Sequence, residues 1–240
     1  MSSPRELVEL YTTLGRRVLA ATTTDGALGA ITAVAVEAIP CVAYASITRR
    51  RDHGFQTLGA THPDAMANDQ RQYDTRSGPC LDALADGATT VTVSDVAHDP
   101  RYPVFGPAAA ASGVASVLST QLVLDIGIRA SLNLYAREPD AFDDTAHTVA
   151  LVMATHGAVA VAGVVARENA LHLERALVNS RNIGMAMGIL MSSQLVTSEE
   201  AFTLLRIASQ NGNRKMHVIA ADVIATGTLD LPGSHGPARG

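Results

Sequence analysis

A chain of 240 residues, 47% hydrophobic and 17% charged, carries enough apolar material for one large globular domain or two modest ones. That balance excludes a disordered chain, a collagen-like repeat and a small disulfide scaffold. A formal net charge of -5 excludes nucleic-acid binding by bulk charge, but not by a local basic face.

Ser3-Pro4-Arg5-Glu6 reads as a capping box with proline in the first turn, and predicts a helix from about Pro4 to Ala21. Glu6 and Glu9 stand where a signal peptide needs an uncharged apolar run, so a cytoplasmic location is expected. An Asp25-Gly26 turn leads into a second, Ala/Val-rich helix that ends before Pro40. Cys41 to Thr48 and Gly54 to Gly59 flank the charged tip Arg49 to His53, the pattern of a β-hairpin. Thr89 to Val93, Gly113 to Leu124 and Ile128 to Ala136 are further β-branched runs, with short helical stretches at Pro63 to Tyr73, Cys80 to Ala85 and Pro103 to Ala111 between them. Cys41 and Cys80 fit neither a disulfide framework nor a metal-ligand spacing, which agrees with a reducing compartment.

From Phe142 the pattern becomes one long helical stretch, about Asp143 to Ser180, weakened only at Gly157 and Gly163. Thr148 to Ala166 is long and uncharged enough to raise a membrane span. Its bulk is Ala, Gly, Thr and Val, with acids before it and no aromatic anchors, so a buried or dimer-forming helix is expected and a membrane partner is not. Val152, His156, Val159, Gly163, Ala166, Ala170, Leu173 and Leu177 alternate by four and three, the spacing of a coiled-coil seam, and predict a homodimer.

Three short helices are expected after it. Arg181 to Met191 turns Ile183, Ala186, Met187 and Leu190 to one face, and Ser192 to Val196 breaks it. Thr197-Ser198-Glu199-Glu200 is a capping box for a helix with Ala201, Leu204, Leu205 and Ala208 inward, stopped by Asn211-Gly212. A third helix from Asn213 turns Met216, Ile219, Ala220 and Val223 to the core, with Gly227 as its cap.

These last residues carry a resemblance. Arg181-x-Ile183-x-x-Ala186-x-Gly188-Ile189-Leu190-Met191, Ser198-Glu199-Glu200-Ala201-Phe202-x-x-Leu205-Arg206-x-x-Ser209 and Asn213-Arg214-Lys215 with Ala220 resemble the ANTAR family of RNA-binding antitermination domains. Upstream, Asp69 to Tyr73, Ser77 to Ala83, Asp99 to Pro103, Gly113 to Leu118 and Ser131 to Ala136 resemble a GAF domain of the kind fused to ANTAR. The resemblance implies an α/β GAF-like sensor with a mixed, mainly antiparallel sheet and flanking helices, a long helical connector and an all-α three-helix ANTAR bundle. The expected divisions are 1–145, 146–174, 175–230 and a disordered tail at 231–240. It also implies a dimer whose ANTAR pair holds two neighbouring stem-loops in a messenger leader and so excludes a terminator hairpin. One departure stands out: where the family commonly has lysine between the alanine and glycine of the first ANTAR helix, this chain has Met187. Losing a phosphate contact there is expected to weaken binding at a given salt.

Charge alone points to the same surface. No acid occurs from Ala201 to Ala221, while Arg206, Arg214 and Lys215 are basic and Gln210 follows Arg206 by four residues. The RNA-contact candidates are Arg181, Met187, Arg206, Ser209, Gln210, Asn213, Arg214 and Lys215. Phe202 is the one aromatic residue between Arg181 and Leu229, so arginine planes and amide edges are expected to do the reading rather than a ring platform. In the sensor, Tyr73, Cys80, Tyr102 and Ser116 are the ligand-contact candidates, for a small-molecule or protein signal of unstated identity. Cys80 is expected to be a small buried side chain rather than a redox or pigment-bearing thiol. The scattered histidines have no HxxxH or HExxH spacing, and neither a Gly-rich phosphate loop nor a nucleophile elbow occurs. The expectation is therefore a regulator with no catalytic site, metal or cofactor, binding paired RNA stem-loops in response to a signal. The rival readings are a DNA-binding regulator of helix-turn-helix type, or a dimeric signalling module without RNA binding.

Overall fold

The computed structural model describes residues 4–85, 89–125 and 128–229. The expected cap Ser3 and the expected tail at 231–240 lie outside the described residues. The chain divides into two units, Met1–Glu168 and Asn169–Gly240.

The first unit opens with two helices, α1 (Pro4–Ala20) and α2 (Thr24–Ala38). Asp25 and Gly26 belong to the first turn of α2 rather than to a turn before it. The cause is local: the Thr23 hydroxyl accepts the Gly26 amide at 3.2 Å, and Asp25 sits where the helix dipole favours an acid. The hairpin β1 (Val42–Arg51) and β2 (Gly54–Leu58) follows, then α3 (Pro63–Thr75), the short α4 (Pro79–Asp82), β3 (Thr90–Val93), α5 (Phe105–Ala111), β4 (Ser116–Asp125) and β5 (Ile128–Ala136). The run from Gly113 becomes strand only at Ser116, since Gly113 takes φ 84° in the turn after α5.

The five strands form one sheet in the order β2-β1-β5-β4-β3, with every neighbouring pair antiparallel. Strand alternation then assigns two unlike faces. Ile47, Leu118, Leu122, Leu132 and Leu134 point to one side and pack with Leu28 and Ile31 of α2 and Met153 of α6 (Asp144–Gln194). The opposite face carries Ser46 and Thr48 on β1, Ser119 on β4, and Ser131, Asn133 and Tyr135 on β5, all buried. Helix α3 lies over that second face with its own polar residues Asn68, Asp69 and Gln72 turned inward.

Helix α6 is longer than the sequence suggests. The expected break at Ser180 and Arg181 does not occur, and a single helix runs from Asp144 to Gln194. Val178-Asn179-Ser180-Arg181-Asn182 contains neither proline nor glycine, so nothing there stops helix propagation. By length and composition α6 would pass as a membrane span. Its first half is nonetheless a core element, with Val149, Met153, Ala154, Ala158, Val161 and Val164 buried at helical spacing in the first unit. Gly157 has a packing reason, because a Cβ there would stand 2.7 Å from Cδ1 of Ile31. The helix ends past Ser192, where the break was expected, and Leu195 takes the left-handed conformation at φ 55°. That place usually goes to glycine, yet Leu195 is 91% exposed there.

The second unit has its own apolar core. Ala186 and Leu190 of α6, Ala201, Leu205 and Ala208 of α7 (Ser198–Asn211), and Ile219, Ala220 and Val223 of α8 (Met216–Thr226) are buried together. The capping box of α7 forms as the sequence predicts, with Thr197 and Glu200 exchanging side-chain and backbone bonds. Helix α8 starts at Met216, later than expected, because Asn213 adopts φ 46° and cannot open a helix. Gly227 caps it at φ 74°.

Candidate functional site

Two places in the molecule concentrate polar chemistry, one inside each unit. In the first, the Asp69 carboxylate is the centre of a buried network. Its Oδ1 accepts from the Tyr135 hydroxyl at 2.5 Å and from Nδ2 of Asn133 at 3.2 Å, while Oδ2 accepts from Thr57 at 2.8 Å. Asn133 also reaches Thr48 at 2.9 Å and Ser46 at 3.3 Å, and its Oδ1 accepts from Ser119 at 3.1 Å. The Tyr73 hydroxyl lies 2.8 Å from both Thr48 and Thr57. Gln72 ties the network to α4: its Nε2 donates to Tyr135 at 3.1 Å and its Oε1 accepts the Cys80 amide at 2.9 Å. Gly78 makes this approach possible, since a Cβ there would fall 2.3 Å from the Gln72 Oε1.

Among the described residues, the side chains that donate to Asp69 are all neutral. Burial therefore pushes its carboxyl up to about 6, against the opposing pull of hydrogen bonds from Tyr135, Ser46, Thr57 and Asn133. Burial likewise raises the Cys80 thiol, with the Asp69 charge adding to the effect, so this sulfur stays protonated. It is fully buried, and its backbone carbonyl accepts from Ser131 at 3.1 Å.

The four sensor candidates do not gather at one point. Tyr73 is a member of the network, and Cys80 adjoins it through Gln72. The Tyr102 hydroxyl is engaged elsewhere, donating to Asp82 at 2.5 Å, and its ring stands edge-on to Phe105. Ser116 is opposite Ala136 in the sheet register, on the face turned to the apolar core, and donates to the Glu138 carbonyl at 2.7 Å. Strand parity separates it from Ser119, Ser131 and Asn133.

In the second unit, α7 buries Ala201, Leu205 and Ala208 and exposes Arg206 and Gln210 on the opposite side. Arg181 and Lys215 are also exposed, and among the described residues no ion pair engages Arg181, Arg206 or Lys215. Arg214 is different, because its guanidinium meets Asp222 of α8 at 2.7 Å. Ser209 shapes the turn between the helices: its hydroxyl donates to the Arg214 carbonyl at 2.5 Å, and its own carbonyl accepts the Arg214 amide at 3.0 Å. Asn213 supplies the left-handed residue of that turn. Met187 is half-buried against the bundle core, which explains an apolar residue at that position.

Two family models match the chain. One, described as a GAF domain, covers residues 21–162, and one, described as an ANTAR domain, covers residues 171–224. The chain belongs to the GAF–ANTAR family. Its GAF match takes in α2, α3, the sheet and the Asp69 network, and its ANTAR match takes in the bundle that presents Arg206. An ANTAR domain is the RNA-binding part of antitermination regulators, and a GAF domain is a sensor module that often takes a small-molecule signal.

Comparison with curated proteins gives no significant match. Among solved structures, the chain is similar to the N-acylhomoserine lactone dependent LuxR family transcription factor CepR2 from Burkholderia cenocepacia. The identity is 18% and the TM-score 0.53, over 70% of this chain and 99% of that one. It is also similar to the bacteriophytochrome RpBphP3 from the photosynthetic bacterium R. palustris, at 12% identity and a TM-score of 0.56 over 86% of this chain. The GAF–ANTAR chain spans 47% of that bacteriophytochrome. At these identities the likenesses establish the fold alone. Asp69 carries no local signal of its place in the network: the run Asp69 to Tyr73 contains it, but nothing in that run marks its burial.

Proposed function

We propose that this protein is a signal-responsive transcription antitermination regulator that binds paired stem-loops in nascent messenger leaders through its ANTAR unit. The observation that carries the reading is the exposed face of α7 and the turn after it. Arg206, Gln210 and Lys215 project there, in a stretch from Ala201 to Ala221 that contains no acid. Such a face neutralises phosphate and offers planar donors to the base edges that RNA loops expose. The GAF unit is the sensor, and a signal there acts only by favouring one arrangement of the protein over another. The protein works by binding and not by catalysis, as a cytoplasmic homodimer with no membrane partner.

Transcription in vitro from a template whose leader can form either two adjacent hairpins or a terminator tests the function. Added protein is expected to raise the full-length fraction, and a leader with both hairpin loops scrambled is expected to abolish the gain. Equal read-through on both templates would contradict antitermination.

A further inference from the structure

Phe202 occupies an unusual place in the ANTAR unit. The core of that unit is built from aliphatic side chains such as Leu190, Leu205, Ile219 and Val223, and the ring is not among them. Helix α7 buries Ala201, Leu205 and Ala208, while Phe202, one residue around the helix, is 42% exposed. No ring contact engages it among the described residues. An exposed ring keeps part of its apolar face free to meet a partner.

The neighbours identify the chemistry of that partner. Arg206 lies one turn on at i+4 and Gln210 one turn beyond it, and side chains so spaced share a stretch of helix surface. Arg206 is exposed and unpaired among the described residues, and the sequence carries no acid from Ala201 to Ala221. On the other side of Phe202, Glu199 and Glu200 occupy the first turn of α7, where Glu200 is committed to the capping box. The ring therefore stands at the edge of the basic surface, where a phosphate would meet repulsion but an uncharged base face would not. We propose that Phe202 is a stacking platform for an unpaired base of the bound RNA loop, with Arg206 holding the adjoining backbone or base edge. Every base has a π-face, so the contact adds affinity for an unpaired nucleotide whatever its identity. The inference rests on the RNA-binding reading above and adds to it an uncharged contact that discriminates open loops from closed duplex.

The test is a titration of the full-length protein with a two-hairpin RNA at several salt concentrations, using Phe202→Ala, Phe202→Leu, Phe202→Tyr and Arg206→Ala, with circular dichroism and sedimentation on each. Phe202→Ala is expected to weaken binding about ten-fold or more at every salt, within the range of lost base stacks, without changing the salt slope. Phe202→Leu, which keeps apolar bulk without a π-face, is expected to fall with it, and Phe202→Tyr to retain binding. Arg206→Ala is expected to weaken binding and flatten the slope by about one unit. Wild-type affinity in folded Phe202→Ala, or full rescue by leucine, would overturn the stacking role while leaving RNA binding in place. Loss of self-association in Phe202→Ala with RNA affinity unchanged would give the ring to a second copy instead. Wild-type protein that binds no RNA would overturn both readings.

Discussion

Among the described residues, only neutral groups donate to the buried Asp69 carboxylate. Its carboxyl is pushed up to about 6 by burial, while in an unfolded chain it titrates near 4. The native state thus binds the proton more tightly than the unfolded state. This group's contribution to stability therefore rises as pH falls from above 6 towards 4, by about 3 kcal/mol for a shift of about two units. Asp69→Asn keeps the shape and removes the titration. Wild type is expected to gain on the variant between about pH 7.5 and pH 5 in urea unfolding, and parallel profiles would show that Asp69 does not titrate there. A sequence shows Asp69 but not its burial, which depends on α3 lying over strands distant in the chain. The same limit explains Arg214, whose partner Asp222 lies on the following helix. Ser116 was misplaced for a simpler reason, since its face follows from where β4 starts. Arg206 and Gln210 were legible, because a spacing of four on a capped helix fixes their common side.

At the scale of elements, capping chemistry was readable and helix continuity was not. The Thr197 to Glu200 box and the Gly227 cap are local signals, and both occur where the sequence places them. The division of α6 at Ser180 and Arg181 followed from the apolar spacing of Arg181 to Met191 rather than from any helix stop, and one helix runs through it. Along α6 the expected seam is open to solvent beyond the half-buried Val152, with Val159 71% exposed and Leu173 and Leu177 each 63% exposed. His156 is the exception in kind, since its ring stands edge-on to Tyr11 at 4.7 Å. A largely exposed stripe of this length fits a second copy of the chain under the dimer proposal. Leu173→Glu with Leu177→Glu places charge in that seam at positions the single chain leaves exposed, so the fold is expected to survive. Sedimentation is expected to show a dimer for wild type and at least about a ten-fold weaker association for the double variant. A monomeric wild type at micromolar concentration, with no shift on adding RNA, would contradict the dimer.

The whole molecule joins a GAF unit built around a buried polar network to an ANTAR unit built around an aliphatic core and a basic face. The α/β class and the C-terminal bundle were visible from strand patterning, caps and motifs, while the resemblance implied a mixed, mainly antiparallel sheet and every neighbouring pair is in fact antiparallel. The polar filling of the sheet's second face was not, because serine and threonine alternation reads the same whether a strand side faces water or a buried network. The central claim is that the ANTAR face recognises RNA hairpins. Its most direct test is a titration of the purified full-length protein against a two-hairpin RNA and a duplex DNA of equal charge, both at one stated salt, with Arg206→Ala alongside. The account predicts saturable binding that favours the RNA and is weakened by about 1 to 3 kcal/mol in the folded Arg206→Ala variant. Equal or stronger binding to the duplex DNA, or RNA affinity untouched by the loss of Arg206, would contradict it.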